Sequence, residues 1–450
     1  MAQRDLTRGG IVYGVAAFAV PLLGTSIVQQ LYSTVDMLFV GNVLGTQATA
    51  ALGVGSLLVT LMVGLFSGLS VASNVRVANL AGSGCSMELN AAIRASMALG
   101  AAGGLGLVFL GEALAEPFVI AMEIPAESAG AALGYLRFSV AATFPIAVFN
   151  MCSGALRGLG DSSTPLAAQA CGGLANIAAN WLALCVFGAG IEGCALATFA
   201  SNALAAAISV CALVRFGRGF LHGSGRASLE GSRLSGMKSA RWMLAFGAPM
   251  AIQTVAVTLS NVVVQHQVDT LGVVNIAAFA VYLKVELPIY YVILAIGQAT
   301  TTFVAQNHGA GLNERCVKGS RVCQVLCLVL AALASATMLA VLPWAFGLFD
   351  RSEAVISAGV AFAQVTFPFY VMYAVLEVQA GTMRGFGHSV VPALVVLANI
   401  CVVRVALVQA MAGCGMGMAG IAASYPITWA SAAFMLVAAR FALRRFSRSR

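Results

Sequence analysis

Seven ionisable side chains fall inside long apolar stretches of this 450-residue chain: Asp36, Arg137, Asp269, Lys284, Glu286, Glu377 and Arg404. A charge held among hydrocarbon costs several kcal/mol unless it is paired or faces a cavity, so each is a candidate for function. Asp36 ends the run Tyr32-Ser-Thr-Val-Asp36 and has no basic neighbour nearby in sequence. It must take up a proton or carry a cation, and either state suits ion-coupled transport, because occupancy changes the cost of burying the group. The alternative is an early end to the apolar stretch, leaving Asp36 at an interface.

Asn176 and Asn180 stand four residues apart and so share one helical face. There their amide oxygens can ligate a hard cation or bond to a neighbouring helix. Thr198 can add a hydroxyl. In the second half, Lys284 and Glu286 are two residues apart in Tyr282-Leu-Lys-Val-Glu286-Leu-Pro288. They point in different directions, so one is expected to face a cleft and the other to bond across helices. Glu377 suits attraction of a cation and Arg404 suits holding an acid. Asp269 is read at the outer end of its span and Arg137 as snorkelling, neither with a site role. Tyr32, Tyr282, Tyr290, Tyr291, Phe279, Met250 and Met372 can line an adaptable, greasy cleft or simply pack.

The elements that must position these groups follow from composition. Sixty per cent of the residues are hydrophobic and 9% charged, against about 25% charged in a soluble domain. The solvent for most of the chain is therefore the lipid bilayer. Apolar runs long enough to span it lie near 11–34, 47–72, 92–113, 131–153, 165–187 and 190–214. Six more lie near 242–269, 273–305, 322–345, 358–380, 390–410 and 416–441. The runs are too long for outer-membrane strands. Most of the 24 basic residues gather at the two termini and in loops on the same side, while the opposite loops are rich in acids, including Glu112, Glu116, Glu123 and Glu127. The asymmetry places both termini in the cytoplasm and accounts for the net charge of +8 without a nucleic-acid partner.

The hydrophilic segment 215–241 divides the chain, and a repeat spans it. Phe246-Gly-Ala-Pro249 echoes Phe18-Ala-Val-Pro21 at an offset of 228, and Arg384-Gly-Phe-Gly echoes Arg157-Gly-Leu-Gly at 227. Gly417-Met-Ala-Gly420 echoes Gly190-Ile-Glu-Gly193 at 227 as well. The expected architecture is an all-α polytopic membrane protein with twelve transmembrane helices. A six-helix lobe over 1–214, a basic cytoplasmic linker over 215–241, a six-helix lobe over 242–441 and a basic tail over 442–450 make up the chain. The lobes are parallel repeats about an axis along the membrane normal, with a cleft that rocking can expose to either side. The sequence carries no nucleotide-binding motif, G-x-S-x-G or H-E-x-x-H, so neither an ATP-driven pump nor a hydrolase is expected. The eleven cysteines form no metal-ligand or disulfide spacing, and Cys323 and Cys327 are read as small buried residues.

Leu31-Tyr-Ser-Thr-Val-Asp-Met-Leu-Phe-Val-Gly41 resembles the first-span signature of the multidrug and toxic compound extrusion (MATE) transporters. Leu156-Arg-Gly-Leu-Gly-Asp161, Met383-Arg-Gly-Phe-Gly387 and Phe303-Val-Ala-Gln-Asn-His-Gly-Ala-Gly311 with Glu314-Arg315 resemble further patterns of that family. The resemblance implies a V-shaped two-lobe fold and secondary antiport of amphipathic, often cationic compounds against Na⁺ or H⁺, without a cofactor. It also implies a cation site, possible for Na⁺, at Asp36, Asn176, Asn180 and Thr198. Some relatives carry Asp at the position of Asn180, which leaves the choice of ion open. One branch has an Asp where this chain has Tyr373, so no cation site is assigned to the second lobe. Tyr32, Tyr282, Lys284, Glu286, Glu377 and Arg404 are carried as substrate-cleft residues. The expected setting is the bacterial cytoplasmic membrane, with small organic cations as partners and a monomeric state. The rival is a lipid-linked oligosaccharide flippase, which calls for more cleft cations than Lys284, Arg404 and Arg137 supply.

Overall fold

The computed structural model describes residues 4–121, 126–221 and 229–448. All regular structure among them is helical, as it must be where no water is at hand to satisfy backbone groups. In chain order the helices are α1 (Ile11–Val43), α2 (Thr46–Ser83), α3 (Ser86–Ala121), α4 (Ala126–Gly158), α5 (Ser163–Asn180) and α6 (Ile191–Leu221). They continue as α7 (Leu229–Asp269), α8 (Val273–Val285), α9 (Leu287–Gly309), α10 (Asn313–Ala340), α11 (Leu342–Gly347) and α12 (Glu353–Thr366). The last are α13 (Tyr370–Gly385), α14 (Val390–Val396), α15 (Arg404–Gly413) and α16 (Gly417–Arg448). Twelve stretches of the described residues are long and apolar enough to cross a membrane, in the order expected from hydropathy.

The helices outrun their apolar centres. Glu112 and Glu116, read above as loop acids, lie inside α3, and Arg137 of α4 reaches Glu112 at 2.8 Å rather than standing alone. Hydropathy finds the hydrocarbon-crossing part of a helix, whereas the hydrogen-bond ladder continues through the polar headgroup region. Likewise the segment 215–241 is largely helix: α6 continues to Leu221 and α7 begins at Leu229. Residues 222–228, with Arg226, lie outside the described residues, as do Glu123 and Arg450. The run 273–305 is two helices rather than one, because Pro288 lacks the N–H that would continue the ladder.

The chain divides into two compact units, one of Met1–Asp5 and Val20–Ala251, the other of Leu6–Ala19 and Ile252–Arg450. In the first, α4 packs on α2, α3 and α6, and α5 packs on α6. Small residues permit this: a Cβ on Gly104 of α3 would stand 3.0 Å from the Phe144 carbonyl oxygen of α4. In the second unit, α13 packs on α9, α10 and α16, and α8 packs on α12.

Two devices specific to these spans place polar groups. A π-helical turn, Trp181–Val186, follows directly on Asn180. A second, Leu397–Val403, directly precedes Arg404. Such turns re-aim side chains within a span and concentrate at functional sites.

Candidate functional site

In the first unit, α1 presents Tyr32 and Asp36 one turn apart on a common face. Asn180 donates through Nδ2 to Asp36 Oδ1 at 2.6 Å and to Asn176 Oδ1 at 3.0 Å. The Thr198 hydroxyl lies 3.4 Å from Asp36 Oδ2 and 3.1 Å from the Cys194 carbonyl oxygen. The four residues expected to form a cation site are therefore brought together, from three helices. The helix α1 runs on past Asp36 to Val43.

The cluster is dry on one side and adaptable on the other. Asn176 and Asn180 are fully buried, and among the described residues Asn180 Oδ1 has no hydrogen-bond partner. A buried amide left half-satisfied is costly, and Asn180 Oδ1 with the two Asp36 oxygens and the Thr198 hydroxyl is a set of hard oxygen ligands. Thr198 can give up Asp36 and keep its bond to Cys194, so loading of the carboxylate need not strand it. Tyr32, a cleft candidate above, lies beside this cluster. Its hydroxyl pairs with the Ser201 hydroxyl and accepts from Asn202 Nδ2 at 2.9 Å.

In the second unit a cavity of about 550 Å³ lies among α7, α8, α9, α13, α15 and α16. Glu286 and Arg404 both line it, with Tyr290, Tyr370, Tyr373, Tyr425 and Trp429. Glu286 accepts a hydrogen bond from the Tyr370 hydroxyl. Arg404, 4% exposed, donates to Thr428 Oγ1 through Nε at 3.2 Å and Nη2 at 3.0 Å, and its guanidinium lies 4.3 Å from the Tyr425 ring centre. The break at Pro288 and the π turn before Arg404 aim these two charges.

The remaining cleft candidates lie elsewhere. Lys284 is exposed and does not line the cavity, being two positions from Glu286 and turned away from it. Tyr282 is fully buried behind the wall, edge-on to Phe362 at 4.5 Å. Glu377 is not a lure for a cation: its carboxylate is ion-paired with Arg384 at 2.5 Å, both side chains largely buried. Gly297 makes room for it, since a Cβ there would meet Glu377 Cγ at 2.5 Å. Phe279 and Tyr290 do line the cavity, whereas Met250, Tyr291 and Met372 do not. The residues missed from sequence are Tyr370, Tyr425, Thr428 and Trp429. Their signal was aromatic spacing of three and four within a span, Tyr370 with Tyr373 and Tyr425 with Trp429.

A family model described as MatE matches residues 21–182 and 249–408. Among curated proteins, the chain is 24% identical over 315 residues to a probable multidrug resistance protein, YpnP of Bacillus subtilis, covering 70% of this chain and 69% of that one. Among solved structures, a MATE protein in complex with MaL6 matches at a TM-score of 0.90 with 18% identity, over the full length of both chains. A transporter of the MOP superfamily from Pyrococcus furiosus, whose binding pocket is described as of reverse polarity, matches at 0.87 with 19% identity, over 99% of this chain and 98% of that one.

Proposed function

Because the chain belongs to the MatE family of multi-pass membrane transporters, we propose that it exports amphipathic organic compounds bearing a cationic group in exchange for Na⁺ or H⁺ bound at Asp36. The observation that carries this reading is the convergence of Asp36, Asn176, Asn180 and Thr198 on one buried cluster. An ion arriving at Asp36 competes with the donors from Asn180 and Thr198, which tie α1 to α5 and α6. Its arrival or departure therefore alters how α1 is held, and so can bias the two access states of a carrier. No covalent chemistry and no cofactor is needed.

The setting we assign is the bacterial cytoplasmic membrane, with both termini cytoplasmic because the basic residues gather on that side, and a monomer as the working unit. The flippase reading is disfavoured because a pyrophosphate calls for several cations. Among the described residues, Arg404 is the one basic residue lining the second-unit cavity.

Transport of ethidium into proteoliposomes, with Na⁺ and pH gradients imposed separately, tests the proposal. One gradient should drive uptake in the wild type and neither should in Asp36→Asn. Undiminished uptake by that variant contradicts a coupling role for Asp36, and failure of both gradients to move the dye contradicts antiport.

A further inference from the structure

We propose that the second-unit cavity is a recognition site for amphipathic zwitterions: a flat ring system with an ammonium-like group for Glu286 and a carboxylate for Arg404. The inference rests on the export reading above and narrows its substrate.

The cavity is lined by two groups of opposite charge that are not in direct contact. Among the described residues no ion pair joins Glu286 and Arg404. The carboxylate accepts a hydrogen bond from Tyr370. The guanidinium spends two of its donors on the single oxygen of Thr428. A carboxylate offers about four acceptor sites and a guanidinium five donors, so both keep capacity for a ligand. A simple cation that satisfies Glu286 adds a second positive charge beside Arg404, and a simple anion does the converse. A ligand carrying both charges satisfies both and leaves the cavity neutral.

The walls fit the body of such a ligand. Tyr290 and Tyr373 stack at 5.7 Å, and Trp429 adjoins Tyr373 at 5.5 Å and Tyr425 at 5.7 Å, which gives faces and edges for an inserted ring. The volume of about 550 Å³ suits a drug-sized molecule.

The fold itself does not call for these charges. At the repeat offset of 227, Ile177 stands where Arg404 does and Val59 where Glu286 does. The first half builds the corresponding spans without either charge. Thr198 of the ion cluster falls opposite Tyr425, and Asp36, at the offset of 228, falls opposite Val264. The halves have thus placed their polar groups at unrelated positions, an ion cluster in one and a bipolar aromatic cavity in the other.

Equilibrium binding to the full-length protein in detergent, read by fluorescence anisotropy with rhodamine B and its methyl ester, tests the proposal. The two dyes share a ring system and a cationic charge, and only the acid carries a carboxylate. The wild type should bind the acid at least about tenfold more tightly, the scale of one hydrogen bond to a charged group. Arg404→Gln should erase that preference by weakening the acid alone, and Glu286→Gln should weaken both dyes. Where Arg404→Gln does not fold, Arg404→Lys, which keeps the charge without the planar fork, should narrow the preference. Equal binding of the two dyes by the wild type, or a preference that survives loss of the Arg404 guanidinium, overturns the inference. The measurement uses no ion gradient. A lost preference with gradient-driven ethidium uptake intact sinks this inference alone, and the reverse pattern sinks the antiport reading alone.

Discussion

The side-chain amide of Asn180 donates to the carboxylate of Asp36 at 2.6 Å across 144 positions of sequence. Asn180 is the last residue of α5 before the ladder loosens into the π turn Trp181–Val186. One amide therefore serves two partners, Asp36 and Asn176, while its own oxygen stays unpartnered. That oxygen is the part of the cluster with most to gain from a cation.

Replacing the amide by a second acid tests this point. Asn180→Asp puts two carboxylates at hydrogen-bond range, which cannot both remain ionised without a counter-charge, and opposite charges at such distances attract by about 4 kcal/mol at an effective dielectric near 20. The Na⁺ concentration needed for half-maximal ethidium transport should fall by about tenfold or more. A Na⁺ response identical to that of the wild type would contradict the ligand role. Asn180→Ala should instead cut coupled transport at least about tenfold, since it removes both the donor to Asp36 and the free oxygen.

Tyr32 offers a milder variant of the same cluster. Its hydroxyl ties α1 to Ser201 and Asn202 of α6, but it does not touch the carboxylate. Tyr32→Phe should cost about 2 kcal/mol of stability, at about 1 kcal/mol for each of the two hydrogen bonds lost, and leave transport partly active with unchanged ion preference. Loss of coupling equal to that of Asp36→Asn would promote Tyr32 from a fastener to a member of the ion site.

Much of the architecture was legible because the bilayer imposes it: long apolar runs must be helices, and their order survives intact. Asp36, Asn176, Asn180 and Thr198 were also legible, since a lone acid and an amide pair at helical spacing stand out in apolar surroundings. The second-unit cavity was not. Arg404 reads from sequence as one more charge in a span, and nothing in Leu397–Val403 announces the π turn that precedes it. Glu377 was misread for a related reason. Its partner Arg384 is seven residues on, two helical turns away, and sits in a motif whose glycines draw attention to the turn rather than to the guanidinium.

That buried pair makes its own prediction. Removing one member of a largely buried ion pair costs about 3–5 kcal/mol, because the other charge is left unpaired. Arg384 already has an unpartnered Nε and cannot easily find a substitute. Glu377→Ala should therefore lower the melting temperature and yield in membranes sharply, and the double variant with Arg384→Met should recover much of the loss. If Glu377→Ala is instead as stable as the wild type but fails to bind cationic dyes, Glu377 contacts substrate and the structural assignment is wrong.

The residues before α1 are held by an unusual clamp within the second unit. Arg315 Nη2 donates to three carbonyl oxygens in turn, Leu6 at 3.3 Å, Arg8 at 3.0 Å and Gly9 at 2.9 Å. Asn307 donates to Leu6 O at 3.1 Å, Gln306 accepts from the Leu6 N–H at 3.2 Å, and the Leu6 side chain is buried. The turn after α9 that presents these groups is set by Gly311, whose φ of +73° suits glycine. Each bond from a charged donor to a backbone carbonyl contributes about 1.5–3 kcal/mol, so loss of the guanidinium should release the segment locally while the helices stay folded. The peptide bond after Arg8 reports this directly, because trypsin cleaves it only when the segment leaves the clamp, and cleavage then tracks the population of the open form. In Arg315→Ala the rate of cleavage there should rise at least about tenfold by mass spectrometry, and in Arg315→Lys by less, since an ammonium keeps a charged donor near the same carbonyls. A rate unchanged from the wild type in Arg315→Ala would mean that Leu6, Gln306 and Asn307 hold the segment without it.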